Sequence, residues 1–197
     1  MEWETRPTLL EKLARFDEAT AWQRLDDQFR EPILGLARKM GLDRQQAEDA
    51  VQDAWTRFSE AYRDGRYDPA KGRLRDWLFA IATNSIRSAR RKTRARSDRE
   101  LPVQDSVLVN QAVEGDDLES SWNQEWQRAR YRHALKQLAR EVTPKSMQVL
   151  LLLTRDRLGP KQVAARLQTS LDSVYNVRSR LVKRLRVLCR GFDECGA

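Results

Sequence analysis

The chain has 197 residues, 40% apolar and 34% charged, with a formal net charge of +8. That length and balance suit one or two small soluble domains, and no apolar run approaches the length of a membrane span. The opening residues MEWETRPTLLEKL lack a signal-peptide core, so a cytoplasmic protein with no membrane partner is expected. Two cysteines, Cys189 and Cys195, and the single His133 fit no common zinc spacing. Free thiols are the default, and neither a metal nor a cofactor is expected.

Charge is unevenly distributed. Residues 1–66 carry a net −3, 67–99 a net +7, 100–127 a net −7 with no Lys or Arg, and 128–197 a net +11. Two basic blocks either side of an acidic connector point to two places that touch a polyanion, held apart by a segment that avoids one.

In chain order, Asp17 is a candidate N-cap for a helix carrying Trp22, Leu25, Phe29, Ile33, Leu36 and Met40, with a kink or break expected at Pro32 and an end at Gly41. Asp43 and Gln46 form a capping-box pattern for a second helix. Its buried stripe is Ala47, Val51, Ala54, Trp55, Phe58 and Tyr62; Glu48, Asp49, Gln52 and Asp53 form an acidic exposed patch. Asp64-Gly65 stops it.

A turn at Asp68-Pro69 and Gly72 opens a third helix. Leu74, Trp77, Leu78, Ile81, Ala82, Ile86 and Ala89 give it one apolar stripe, while Arg73, Arg75, Arg87, Arg90, Arg91 and Lys92 occupy other faces. A helix anchored on one side and basic on the other suits a polyanion, with Tyr67, Trp77 and Phe79 near enough to stack on bases where exposed. Trp22, Trp55 and Trp77 lie in apolar stripes and are expected in the core.

Periodicity is then lost. Residues 100–127, with Pro102 and Gly115 as breakers, read as a linker in which Leu108, Val109, Val113 and Leu118 can form short helices. Helical signal returns near Ser121, and Trp122 and Trp126 are expected to pack a lead-in helix on the second domain. Arg94, Arg96 and Arg99 read as solvated charges.

Thr143-Pro144 starts an apolar helix with Met147, Val149, Leu150, Leu151 and Leu153. Gly159-Pro160 begins the short KQVAARL helix. A tight turn at Gln168-Thr169-Ser170 leads into LDSVYNVRSRLVKRLRVL, whose core stripe is Val174, Val177, Leu181, Leu185 and Leu188. This is helix-turn-helix logic, in which the second helix enters the major groove. Ser173, Tyr175, Asn176, Arg178 and Ser179 are the candidates for base edges, with later basic residues such as Arg180 and Lys183 on phosphates. No segment has a strand period, so the expected class is all-α.

Catalysis has little support. Asp49, Asp53 and Glu60 could hold Mg²⁺ for a nuclease, but no matching carboxylate cluster, phosphate-binding loop or Ser/His/Asp set accompanies them. A stand-alone helix-turn-helix regulator explains residues 143–192 and leaves the 67–92 block unexplained.

With AEDAVQDAWTRF, YDPAKGRLRDWLFAIATNSIRSARRK, WNQEWQRARYRHALKQL, VTPKSMQVL and KQVAARLQTSLDSVYNVRSRLVKRLR in this order, the chain resembles sigma-70-family factors of the extracytoplasmic-function (ECF) type, and among them the groups common in planctomycetes. The resemblance implies two small helical domains: a sigma region 2-like bundle over 1–98 and a region 4-like helix-turn-helix over 128–197, joined by an acidic linker over 99–127. It implies no enzyme but an initiation factor whose partners are core RNA polymerase (the β′ clamp helices and β flap) and promoter DNA, with an anti-sigma protein as a further candidate. Carried over by position, Asp49, Gln52 and Asp53 would dock on the clamp helices. Asn84 would hold a flipped −10 base, with Arg87, Arg90 and Arg91 towards the backbone. Tyr67, Arg73 and Arg75 would join the −10 contacts, and the second helix of the helix-turn-helix would read the −35 element. In the family the linker threads the polymerase channel. The chain departs from the family pattern at the turn, where Gln168 replaces the usual Gly; either a positive φ there costs roughly 1 kcal/mol or the turn is slightly reshaped.

Overall fold

In the computed structural model, residues 19–100 and 116–196 are described. The expected Asp17 cap, residues 1–18 and the connector residues Leu108, Val109 and Val113 lie outside them. The described residues form seven helices and no strand, which makes the fold all-α. The helices are α1 (Ala19–Lys39), α2 (Arg44–Arg63), α3 (Leu74–Glu100), α4 (Asp116–Glu141), α5 (Pro144–Thr154), α6 (Pro160–Arg166) and α7 (Leu171–Gly196). They divide into two compact modules, a first up to Ala129 and a second over Arg130–Glu194.

In the first module α1 turns Leu25, Phe29, Ile33 and Leu36 fully inward, at the three- and four-residue steps of one helical face. Pro32 sits inside this helix, which runs unbroken from Ala19 to Lys39 instead of dividing there. A proline costs about 3 kcal/mol in a helix interior, and burial of Phe29, Ile33 and Leu36 on both sides of it supplies an offset of that order. Gly41 ends the helix with φ 85°, and the N–H groups of Gly41 and Leu42 return to the carbonyls of Arg38 and Ala37. That is a Schellman stop, which needs a residue tolerant of the left-handed region.

The capping box of α2 is as expected. Asp43 Oδ1 accepts from Gln46 N–H at 2.8 Å, and Gln46 Oε1 accepts from Asp43 N–H at 3.1 Å. Ala47, Ala50, Val51, Ala54 and Phe58 are buried, whereas Trp55 and Tyr62 are only half so. Leu74, Leu78, Ala82 and Ile86 complete the core from α3.

The acidic stretch differs from its expected role as a linker. From Asp116 it is the start of the 26-residue α4, and Leu118, Ser121, Trp122, Glu125, Trp126 and Ala129 are buried there. Trp122 and Trp126 pack within the first module, contrary to their expected place on the second. Trp126 lies 4.8 Å from Phe29 and Trp122 lies 5.4 Å from Phe79, centroid to centroid. The physical reason is the pairing of large rings with aromatic partners that α1 and α3 present, and loss of either tryptophan would cost roughly 3–5 kcal/mol.

In the second module Ala134 and Leu138 of α4 join Leu150, Leu181 and Leu188 in one cluster. Val149, Leu152, Val163, Ala164 and Val174 form another under the short α6. Thr143 caps α5 through Ser146 N–H, and Gln162 returns its side chain to Gly159 N–H at 2.8 Å. Between α6 and α7, Gln168 adopts φ 48° while Gln168 and Thr169 donate to the carbonyls of Ala165 and Ala164. The turn keeps the Schellman geometry with a non-glycine residue at its left-handed position.

Asp43 supplies the side-chain oxygen that accepts from the first-turn N–H of Gln46 in the α2 cap. Asp43→Ala should therefore lower stability by about 1 kcal/mol in denaturant unfolding, whereas Asp43→Asn should change it by a few tenths at most. Equal losses for both would show that the carboxylate charge, not the cap, is what matters.

Candidate nucleic-acid interface

Between the end of α2 and the start of α3 the first module gathers aromatic rings. Phe58 is at the centre, edge-on to Trp22 and Trp55 at 5.8 and 5.6 Å, stacked with Tyr62 at 5.8 Å, and 5.3 Å from Trp77. Tyr67 closes the ring, 6.2 Å from Tyr62 and 5.1 Å from Trp77. Its hydroxyl donates to the Gly72 carbonyl at 3.4 Å, tying the 64–73 loop to the cluster. Trp22, Trp55, Tyr62, Tyr67 and Trp77 are each half-buried, so the cluster is core on one side and surface on the other. Trp55 is further fixed by its indole N–H, which donates to Asp26 at 2.7 Å.

Because the apolar stripe of α3 is buried, its opposite face is presented outward. Asn84, Arg87 and Arg91 are exposed there at steps of three and four, forming a single row. Arg90 is half-buried and falls off that row. Asn84 also lines a cleft of about 470 Å³ whose floor includes Ile81 and whose walls carry Glu60, Arg63 and Arg66. That is within the size range of small-ligand pockets, about 300–1,000 Å³, and it offers donors and acceptors together over an apolar surface. Sequence reasoning placed Asn84 but missed the α2 side of this cleft; Arg63 and Arg66 flank the Asp64-Gly65 stop, where a turn rather than a site was the visible signal.

The two arginines at the start of α3 behave differently from that row. Arg73 is exposed and pairs with Asp76, Nε to Oδ2 at 2.9 Å. Such a surface pair contributes about 0–1 kcal/mol and can exchange for a phosphate. Arg75 departs from the expectation of a DNA contact: it is turned inward, with its guanidinium 5.0 Å from the Trp126 ring centroid and donating to Asn123 Oδ1. Desolvated stacking on an indole is the physical reason.

On α2 the acidic patch divides. Asp49 and Gln52 are exposed, and Asp49 accepts from Gln45 at 3.1 Å. Asp53 is half-buried and accepts from Arg57 Nε at 2.7 Å. Burial alone would raise its pKa. The buried Ser85 hydroxyl facing it, the Arg57 guanidinium and the charge of Lys92 outweigh burial and hold it below the ordinary aspartate value. Asp53 thus faces α3 as well as solvent, and its hydrogen bond is to Arg57 on its own helix. Asp49 and Asp53 do not gather a third ligand, and among the described residues no group of three His, Cys, Asp or Glu is placed to hold a metal.

On α7 the side chains of Asn176, Ser179, Arg180 and Lys183 are exposed and, at 100° per residue, share the face opposite Val174, Leu181 and Leu188. Tyr175, 48% exposed, and Arg178 lie on its flanks. Ser173 is half-buried, with its N–H donating to Ser170 Oγ at 3.1 Å in the helix cap. Arg184 is held back by Glu141, which it grips with both Nε (2.6 Å) and a terminal nitrogen (2.9 Å). That grip lowers the Glu141 pKa and raises that of Arg184.

The helical bundle with its aromatic cluster and basic row defines a known class of domain. Residues 25–96 match the family described as Sigma-70 region 2, and this segment of the chain is a Sigma-70 region 2 domain. Among solved structures, the complex of CnrH with the cytosolic domain of CnrY aligns over 94% of this chain and 97% of that one, at 20% identity and a TM-score of 0.38. No curated protein matches the sequence.

The sign of the Asp53 shift fixes a pH dependence. A carboxylate with a depressed folded-state pKa stabilises above its unfolded value, and that contribution is lost as pH falls through the folded one. The stability difference between the native chain and Asp53→Asn should be constant near neutrality and shrink in the acid range, below the ordinary aspartate value. A difference that stays level into acid would show that nothing holds this carboxylate low.

Proposed function

We propose that the chain is an alternative sigma factor of the ECF type. It binds core RNA polymerase, recognises −10 and −35 promoter elements and assists DNA melting. The observation that carries this reading is the row Asn84, Arg87 and Arg91 beside a cleft of base-accepting size, on a region 2 domain. In this reading Asn84 contacts a flipped non-template base, and the cleft repays part of the few kcal/mol spent on unstacking it. Arg87 and Arg91 take phosphates, with Arg73, Arg90 and Tyr67 at the margins of the same surface. Asp49 and Gln52, with Asp53, form the polymerase contact on the β′ clamp helices. The second module reads the −35 element through the exposed face of α7 and docks on the β flap. The protein acts in the cytoplasm without catalysis of its own, and an anti-sigma protein is a proposed further partner.

The decisive experiment is in vitro transcription with core enzyme on promoter libraries. A stand-alone helix-turn-helix regulator would bind duplex promoter tightly without core; the proposed factor should need it. Asp49 is exposed and accepts a hydrogen bond from Gln45 of its own helix, so Asp49→Lys should abolish capture of core polymerase while leaving the melting temperature unchanged. Retained capture would remove Asp49 from the interface. Asn84→Ala should reduce open-complex formation more than closed-complex binding, measured by permanganate footprinting against filter retention. Equal losses would count against the flipped-base role.

A further inference from the structure

The most fully built contact in the first module is the one that sequence patterning did not anticipate, and it joins the segment matched to region 2, which ends at residue 96, to a helix beyond it. We propose that the face formed by Phe29, Gly35, Lys39, Arg75 and Phe79 is a receptor for the Trp122–Trp126 segment of the chain's own α4, and that occupancy of this receptor withholds Arg75 from nucleic acid. The proposal rests on the nucleic-acid reading of the first module.

The fit is specific. A Cβ on Gly35 would overlap the Glu125 side chain, so glycine on α1 is what lets this carboxylate sit here without shifting. The Glu125 side chain is 8% exposed and is met by Lys39 Nζ at 3.3 Å and Arg128 at 2.7 Å. Lys39 also donates to Gln124 at 3.0 Å. On either side of the carboxylate Trp122 packs on Phe79 and Trp126 on Phe29, and Arg75 is held between the Trp126 ring and Asn123. Aromatic, acidic and aromatic groups at i, i+3 and i+4 thus meet an apolar, small, cationic and aromatic surface.

The same composition makes the contact exchangeable. A buried ion pair adds little net stability over an apolar one, because desolvation offsets most of the attraction. The Trp122 indole N–H is buried with no acceptor, which removes part of what ring burial contributes. Two groups compete for one guanidinium: an indole with an amide in the docked state, and a phosphate when the helix is released. Arg75 projects from the side of the helix opposite Arg73, so release adds one cation at the same end of α3 and not to the row that carries Arg73.

The test uses the full chain and a labelled single-stranded DNA oligonucleotide of mixed sequence, with hydrogen exchange over residues 117–129 as the monitor of docking. Gly35→Ala, which drives a methyl into Glu125, and the isosteric Glu125→Gln should both raise exchange in that segment and strengthen binding. One added phosphate contact should steepen the slope of log affinity against log salt by about 0.7, so a fourfold rise in salt costs the released variants about threefold more affinity than the parent. Adding Arg75→Ala should cancel the change in slope. An unchanged slope in a variant whose helix is released, or a gain that survives Arg75→Ala, would overturn the proposal.

Should Gly35→Ala fail to fold, Glu125→Gln and a tethered chain decide. Lys39→Cys and Gln124→Cys, joined by a short bismaleimide in a Cys189→Ser, Cys195→Ser background, would hold the helix docked. Arg75→Ala should then leave DNA affinity unchanged, and a loss in the tethered protein refutes withholding. Arg87→Ala with Arg91→Ala serves as the control. If it weakens binding in every background while the released variants gain no Arg75 dependence, only the receptor proposal fails. If it weakens none, the nucleic-acid reading itself fails.

Discussion

Everything the first module offers to a partner depends on how α3 is pinned. Leu74, Leu78, Ala82 and Ile86 are buried to within 2% exposure along one stripe, and no rotation of the helix keeps them buried while moving Asn84, Arg87 and Arg91 off the outer face. The hydrophobic effect fixes orientation here, and the polar chemistry inherits it. The aromatic cluster does the same for the loop before α3, because Tyr67 is held by Tyr62, Trp77 and the Gly72 carbonyl at once. A basic surface on an unpinned helix would average over many orientations; this one presents a fixed row beside a fixed cleft.

The acidic residues show why charge counts need a structure. Residues 100–127 sum to −7 and read as one repelling connector. Among its described members, Asp117 and Glu119 are exposed, while Glu125 is buried under two cations against a glycine. The acidic patch on α2 is divided in the same way. Asp49 faces solvent, whereas Asp53 is half-buried and paired with Arg57 on its own helix. Net charge describes what a surface attracts at a distance; it does not say which carboxylates are free to do so.

The legible parts of the sequence were the local ones. The Asp43 capping box, the Thr143-Pro144 start and the stripes of α1, α3 and α7 all follow from steps of three or four residues and from turn chemistry. The region 2 segment and the all-α class of the described residues were legible for the same reason, since motifs in order are local patterns too. What could not be read was partner choice. Trp122, Glu125 and Trp126 announce a helical face, but nothing in their spacing says which module it covers. Arg75 sits among nine other basic residues of the 67–99 block, and the approach of Trp126 and Asn123 separates it from the exposed ones.

Gly35 carries the same lesson in reverse. In α1 it reads as an isolated weak helix former, about 1 kcal/mol worse than alanine, and no sequence signal assigns it a role. A glycine that lowers helix propensity at a buried position must be offset by something that needs the missing side chain. Here that is the Glu125 carboxylate, which no other residue at position 35 would admit without displacing it. The intrinsic weakness of α1 at this point and the docking of α4 are therefore one feature. A helix that accepts a glycine in its middle has been shaped by what lies against it.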